Sequence, residues 1–200
     1  MGFLRLLILL PFLALSTISP LAELQVGDIA PSFSLKSTDG KMIGMEKTAS
    51  VKGYIIVFTS NACPYSTLYE DRIILLHTKY AGSGYSVLAI QPNNPQLSPE
   101  DSYEKMKEKK DEKRFPFSYL IDTSDQETAR AYGATNTPQV FILQKDSNNS
   151  FRVEYIGAID NNSRDPEAAS KRYVETALDE LLAGEPVTTK NSKAIGCTIK

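Results

Sequence analysis

The sequence predicts an α/β fold in three layers, with a central mixed sheet, helices on both faces and an N-terminal hairpin extension. Apolar strand-like runs, such as those at 54–58 and 85–91, alternate with segments of helical pattern. That alternation is typical of a largely parallel sheet covered on both faces. Near the end, two strand-like runs at 138–144 and 151–157 are separated by a short polar turn. They predict an antiparallel hairpin at one edge of the sheet.

Each element can be predicted in order from its local pattern. Residues 23–45 are expected to form two short strands around Asp39-Gly40, because Asp-Gly is a strong hairpin signal. The remaining elements are a strand at 52–60, a helix at 64–80, a strand at 85–91, a helix at 98–114, a strand at 117–122, a short helix ending near 132, the two strands of the closing hairpin, and a last helix ended by Gly184.

Three helix starts carry recognisable capping signals. Ser98 followed by Pro99 predicts the start of the charged helix. Residues 124–127 fit a capping box for the short helix. Asp165 followed by Pro166 predicts the start of the last helix.

The N-terminus differs in kind from the rest of the chain. Arg5 precedes a short apolar run at 6–15, followed by small residues, a pattern typical of a secretory signal peptide. We expect a signal peptide at 1–22, one domain at 23–184 and a C-terminal tail at 185–200. An uncleaved membrane anchor is the alternative. The signal peptide predicts an exported protein, periplasmic or secreted, without stable membrane insertion after cleavage.

Charge and composition argue against several kinds of binding site. The formal net charge is -2 and no basic patch dominates, so no nucleic-acid partner is expected. His77 is the only histidine and lacks acidic or cysteine companions at metal-binding spacing. We therefore expect no metal site and no cofactor, and a structural role for His77.

The chain has only two cysteines, Cys63 and Cys197. Cys63 lies where the apolar strand gives way to a helix, and the start of a helix favours the reactive thiolate form of a cysteine. It is either a redox nucleophile or a small buried residue at a tight corner. Cys197, close to the end, could be an incidental thiol, a resolving partner that pairs with Cys63, or one half of a permanent bridge.

These residues resemble a known active site. Phe58 with Cys63 five residues later resembles the active-site corner of thioredoxin-fold proteins, and Thr137-Pro138 resembles their cis-proline loop. The opening VGDIAPSFSLKSTDGK and the terminal GCTIK resemble the redoxin (alkyl hydroperoxide reductase/thiol-specific antioxidant) family, in its peroxiredoxin-like subgroup. The resemblance covers roughly residues 25–200. It implies a thioredoxin-like fold, a nucleophilic Cys63, and a substrate site containing Thr137 and a cis Pro138.

The sequence also departs from those families. Ser66 stands where thioredoxins have their second cysteine, and Ser60 lies three residues before the nucleophile, where peroxiredoxins have threonine or serine. We expect both serines to contribute to substrate binding. Ile56 replaces the proline of peroxiredoxins, and their active-site arginine has no obvious match; Arg72 and Arg114 are possible substitutes.

The expected function is that of an exported thiol-dependent oxidoreductase with antioxidant, peroxiredoxin-like activity. Its substrate would be a peroxide or a protein disulfide, and an external thiol would act as its reductant. One alternative is a thiol–disulfide oxidoreductase that acts on protein disulfides. Another is a non-catalytic module that binds peptides beside Pro138.

Overall fold

The computed structural model describes residues 24–200. The predicted signal peptide, at 1–22, lies outside the described residues. In chain order the elements are β1 (Ser34–Ser37), β2 (Met42–Gly44), β3 (Gly53–Phe58), α1 (Pro64–Tyr80), β4 (Tyr85–Gln91), α2 (Tyr103–Lys113), β5 (Ser118–Ile121), α3 (Glu127–Tyr132), β6 (Asn136–Thr137), β7 (Gln139–Lys145), β8 (Phe151–Gly157), α4 (Tyr173–Ala183) and β9 (Cys197–Thr198).

Seven strands form one mixed sheet in the order β2-β1-β5-β4-β3-β7-β8. The central strands β3, β4 and β5 are parallel to one another. The closing hairpin β7–β8 joins β3 in antiparallel fashion, and the N-terminal hairpin β1–β2 joins β5 at the other side. This arrangement confirms the predicted α/β class, the N-terminal hairpin extension and the antiparallel closing hairpin.

Strand β3 lies in the middle of the sheet and contributes to both of its faces. Its residues alternate because successive side chains of a strand point to opposite sides. Ile55 and Val57 belong to a core shared with α1, α2 and α4. Ile56 and Phe58 belong to a second core shared with α3 and the N-terminal segment. Every residue of β3 is buried, which fixes the position at which its last residue leads into the candidate site.

The charged helix does not begin where its capping signal predicted. A short 3-10 turn occupies Pro99–Asp101, and α2 begins at Tyr103 with Ser102 as its N-cap. The Ser98 hydroxyl instead donates to the carboxylate of Asp101, at 2.7 Å. The Asp101 side chain is fully buried, so the turn that carries it faces the protein interior. The turn ends at Asp101, and α2 begins two residues later.

The capping signals of the last two helices are also wrong. At the start of α3 the backbone N–H groups of Thr128 and Ala129 donate to Asp122, at 3.2 and 2.9 Å, rather than to a residue of the proposed capping box. Asp165 caps a separate turn by accepting the N–H of Glu167, and α4 begins only at Tyr173. The predicted stop at Gly184 is confirmed, with a left-handed φ of 78°.

The C-terminal tail packs against the domain. Val187 is buried, and the backbone of Ile156 exchanges hydrogen bonds with Lys190 and Ser192 at 3.0 Å each. Farther along, β9 pairs with β6 in a two-stranded sheet. The tail therefore leads back to the edge of the domain that holds Cys63. Among residues 24–200, no helix is both long and apolar enough to cross a bilayer.

Candidate active site

Cys63 occupies the junction between strand β3 and helix α1. It is the N-cap of α1, in an extended conformation with φ -85° and ψ 117°, and Pro64 follows in the first turn. The carbonyl group of Cys63 accepts the N–H of Thr67, at 3.1 Å, so the helix begins directly after the cysteine. A long helix directs its positive end toward a group at this position, which favours a negative charge there.

The loop before β7 lies against Cys63. The peptide bond between Thr137 and Pro138 is cis, as the resemblance implied. Thr137 is fully buried, and its carbonyl oxygen lies 3.0 Å from Cys63 Sγ. The structure thus places the sequence-predicted Thr137 and Pro138 beside the sequence-predicted Cys63.

Cys197 is joined to Cys63 by a disulfide across 134 residues of chain. The Cα atoms of the two cysteines are 5.9 Å apart. Cys197 lies opposite Thr137 in the β6–β9 pair, so the same short strand that brings the tail to this loop also brings its sulfur to Cys63. Cys63 is only 2% exposed, whereas Cys197 remains partly exposed. Cys197 is therefore the more accessible half of the disulfide for an external thiol.

Ser60 and Ser66 meet beneath Cys63 and do not line an open groove. Both are buried, and the Ser66 hydroxyl accepts the backbone N–H of Ser60 at 3.3 Å. The Ser60 hydroxyl donates to the carboxylate of Asp101, at 2.9 and 3.0 Å. In this structure the two serines hold the corner that carries Cys63 and present no hydroxyl to an incoming substrate.

Asp101 is the residue of the site that sequence reasoning missed. Its side chain is fully buried, and it accepts hydrogen bonds from two backbone N–H groups of the loop before Cys63, those of Asn61 at 2.6 Å and Ala62 at 3.3 Å. Asn93 adds a donor at 2.8 Å. A buried carboxylate needs such donors to offset the loss of water. In the sequence Asp101 lies among many charged residues, and only its nearness to Ser98-Pro99 set it apart.

The two arginines proposed as substitutes for the peroxiredoxin arginine do not occupy that role. Arg72 Nη1 forms a buried ion pair with Asp160, at 2.5 Å, and its guanidinium lies over the ring of Tyr69, with 4.0 Å from Cζ to the ring centroid. Arg114 ends α2 in a left-handed conformation. Within residues 24–200, neither guanidinium forms a hydrogen bond to the corner around Cys63.

An open pocket of about 460 Å³ lies between the start of α1, the cis loop and the tail. Tyr65 from α1, Pro138 from the cis loop and Ile195 from the tail form its apolar side. Tyr65 and Ile195 are exposed, at 37% and 60% of their surface. Exposed apolar side chains that line a pocket are typical of a surface that receives a ligand or partner. The pocket extends from the cis loop to the segment that carries Cys197.

Residues 26–148 of the chain match the AhpC/TSA family. The matched part includes Cys63 and Pro138 and ends before Cys197. No curated protein sequence matches the chain significantly.

The chain is similar to several proteins of known structure. An uncharacterized conserved protein from Geobacillus kaustophilus is 34% identical, with a TM-score of 0.79 and coverage of 88% of this chain and 91% of that one. A hypothetical protein from Sinorhizobium meliloti 1021 is 29% identical, with a TM-score of 0.79 and coverage of 89% and 95%. A thiol:disulfide interchange protein of the thioredoxin family, from Chlorobium tepidum TLS, is 21% identical, with a TM-score of 0.56 and coverage of 78% and 99%.

The last of these similarities concerns the fold alone. The family match covers more than half of the chain, and the Geobacillus protein resembles the chain along nearly its whole length. The chain therefore belongs to the AhpC/TSA family of thiol-based oxidoreductases, on a thioredoxin-like fold.

Proposed function

We propose that this protein is a two-cysteine thiol–disulfide oxidoreductase in which Cys63 is the nucleophile and Cys197 the resolving thiol. The observation that carries the proposal is the disulfide between them, which lies at the start of α1 and beside Pro138. A thiol–disulfide enzyme without a Cys-x-x-Cys motif needs its second thiol from elsewhere. The tail supplies one within bonding distance.

The reaction can be written so that its electrons balance. The Cys63 thiolate attacks one sulfur of a substrate disulfide; a new bond forms to Cys63, and the other substrate sulfur leaves as a thiolate. The Cys197 thiolate then attacks Cys63 Sγ and releases the second substrate sulfur. The substrate disulfide is reduced, and the pair Cys63–Cys197 is oxidised to the state that the structure holds.

An external thiol then restores the enzyme. It attacks the more exposed sulfur, that of Cys197, and Cys63 leaves as a thiolate at the helix start, where negative charge is favoured. A second external thiolate displaces the first from Cys197 and completes the reduction. This division of roles follows from the burial of Cys63 and the partial exposure of Cys197.

The test is reduction of a protein disulfide. The reduced enzyme, with dithiothreitol as the external thiol, should accelerate reduction of the interchain disulfides of insulin. Cys63→Ser should lose that acceleration, and Cys197→Ser should show it only weakly, because release of its mixed disulfide then depends on dithiothreitol. Mass spectrometry of the enzyme after one turnover should find the Cys63–Cys197 disulfide. Wild-type rates of insulin reduction in Cys63→Ser would refute the proposal.

A second candidate function is reduction of peroxides, and the match to the AhpC/TSA family favours it. The Cys63 thiolate would attack a peroxide oxygen and become a sulfenic acid, and Cys197 would condense with it and release water. The geometry gives this reaction less support, because the Ser60 hydroxyl donates its hydrogen bond to Asp101 and the Arg72 guanidinium forms an ion pair with Asp160. Rapid loss of hydrogen peroxide on mixing with the reduced enzyme would favour the peroxidase.

We also propose that the protein is exported, with the signal-like pattern of 1–22 as the support. An oxidising compartment would keep the Cys63–Cys197 pair in its disulfide form between turnovers. Expression of the full chain in a bacterium, followed by fractionation and N-terminal sequencing, tests this. Recovery of a cleaved form outside the cytosol is expected, and an intact N-terminus in the cytosol would contradict it.

A further inference from the structure

The tail occupies the edge of the domain beside Cys63 as a short strand. In the antiparallel β6–β9 pair, Cys197 lies opposite Thr137. The pairing continues beyond the strand, where the N–H of Ile199 donates to the carbonyl oxygen of Thr135, at 3.1 Å. Backbone hydrogen bonds therefore hold this segment in addition to the disulfide to Cys63.

The residue before Cys197 is a glycine, and the site accepts nothing larger. A Cβ added to Gly196 would lie 2.6 Å from the carbonyl carbon of Thr137, closer still to its oxygen, and 3.1 Å from the nitrogen of Pro138. These are backbone atoms of a buried loop, so they cannot move aside as a flexible side chain could. By contrast, a Cβ at Gly82 meets nothing within 4 Å.

The seated tail has the chemistry of a bound substrate. The disulfide between Cys63 and Cys197 contains the same bonds as the mixed disulfide that a peptide cysteine would form with Cys63. The tail thus shows which peptide backbone can approach the nucleophile: an extended strand, antiparallel to β6, with no side chain directly before its cysteine.

The tail segment around Gly196 and Cys197 lies in a groove beside β6 and Cys63. We propose that this groove selects cysteine-containing peptide segments in which glycine precedes the cysteine, and that the tail competes with such segments for it. The proposal rests on the proposed thiol–disulfide exchange at Cys63 and specifies its substrate class. Cys63 is only 2% exposed while the tail is seated, so a client segment must take the place of the tail before it can react. Return of the tail then brings Cys197 back to resolve the mixed disulfide.

The test uses the Cys197→Ser protein and two peptides. One has the tail sequence AIGCTIK and the other is AIACTIK, each with its cysteine held in a mixed disulfide with thionitrobenzoate. Cys63 attacks the peptide sulfur, a peptide–Cys63 disulfide forms, and coloured thionitrobenzoate leaves as a thiolate. The glycine peptide should react about tenfold faster or more, which corresponds to at least about 1.4 kcal/mol in the transition state.

A symmetric small reagent, the disulfide of two thionitrobenzoates, separates the two ways of failing. Equal rates with both peptides, in a protein that reacts with the small reagent, would overturn the glycine selectivity and leave the exchange chemistry standing. Absence of reaction with all three reagents would overturn the proposed function and this inference with it. The comparison uses a single protein, so it does not depend on the stability of a second variant.

The competitor role has its own test. Adding Gly196→Ala to the Cys197→Ser protein should expel the tail from the groove and raise the rate with AIGCTIK several-fold, because the Cβ cannot be accommodated beside Thr137. Gly82→Ala in the same background is the matched control and should leave the rate unchanged. An unchanged or lower rate in the Gly196→Ala protein would show that the tail does not compete for this groove.

Discussion

The carboxylate of Asp101 accepts the backbone N–H of Asn61 at 2.6 Å, across 40 residues of chain. This hydrogen bond ties the 3-10 turn before α2 to the loop that carries Cys63. The same carboxylate receives the hydroxyls of Ser60 and Ser98. A buried charge that is held by several donors fixes all of them at once, because loss of any one leaves a buried polar group without a partner.

Asp101→Asn should destabilise the protein by about 2 kcal/mol, the usual cost of leaving buried polar groups unsatisfied. The amide nitrogen of asparagine would face obligate donors such as the Nδ2 group of Asn93, from which it cannot accept a hydrogen bond. The loop before Cys63 should also lose order, so that reduced Cys63 reacts with small disulfides at a changed rate. Guanidinium unfolding and reaction with thionitrobenzoate disulfide measure the two effects.

Glu100→Gln is the matched control for Asp101→Asn. Glu100 is the neighbouring acid and is exposed, and only its backbone carbonyl contacts the loop, where it accepts from Asn61. This control should keep the wild-type stability and thiol reactivity. Equal stability in the two variants would mean that Asp101 does not organise the site.

The sequence predicted the sheet and the nucleophile because these depend on local patterns. The apolar run of β3 and the turn at Asp39-Gly40 are fixed by burial and by backbone preference, and both strands and hairpin formed as expected. Cys63 and Pro138 were found by their resemblance to a known corner. These features can be predicted without knowing which distant residues contact them.

The parts that the sequence did not predict all depend on long-range contacts. Ser98 is the N-cap residue of the 3-10 turn and not of α2, and its hydroxyl donates to the carboxylate of Asp101. That carboxylate also accepts from Ser60, 41 residues away in the chain. Likewise Asp122, rather than the proposed capping box, accepts the N–H groups at the start of α3. A capping signal states only that a side chain can accept a hydrogen bond; the tertiary fold decides which donor it meets.

The tail is connected to this same network. The Oδ1 atom of Asn93 accepts the backbone N–H of Lys200 at 2.8 Å, while its Nδ2 donates to Asp101 and to Ser60. One side chain thus contacts both the docked tail and the carboxylate that holds the loop of Cys63. Departure of the tail leaves the Oδ1 atom of Asn93 without its partner, which couples docking to the order of the loop.

Cys197→Ser should trap substrates as long-lived mixed disulfides. Without a resolving thiol, release of the client depends on an external thiol and slows accordingly. Incubation of each reduced variant, freed of its reductant, with a cell extract in which the protein disulfides are intact, followed by non-reducing electrophoresis, should show adducts for Cys197→Ser and none for Cys63→Ser. Adducts that map to Cys197 in the Cys63→Ser protein would reverse the assigned roles.

Reduction of the Cys63–Cys197 disulfide should lower the free energy of unfolding. The bond closes a loop of more than one hundred residues, for which the chain-entropy model gives about 4–5 kcal/mol, less any native-state strain. Guanidinium unfolding of the oxidised and reduced forms measures the difference. In the double variant Cys63→Ser with Cys197→Ser, added reductant should change nothing; a change there would point to an effect of the reductant itself.

His77 should make the stability depend on pH in the weakly acidic range. Burial lowers the pKa of His77 below its ordinary value of 6.5, and its Nδ1 accepts the N–H of Val87 at 3.2 Å, a bond that the neutral ring makes. The unfolded chain therefore binds a proton at a higher pH than the folded protein does. Stability is thus fully present above about pH 6.5 and falls as the pH drops below that value, by no more than about 1.4 kcal/mol per pH unit for one proton.

Replacement of the histidine separates its contribution from that of the carboxylates. His77→Gln removes the titrating group and keeps a carbonyl oxygen that can accept from Val87. Unfolding by guanidinium between about pH 7.5 and 5.5, above the range in which ordinary carboxylates titrate, should give a flatter profile for the variant than for the wild type. Since His77 is the only histidine of the chain, an identical slope in both proteins would show that its burial does not govern stability in this range.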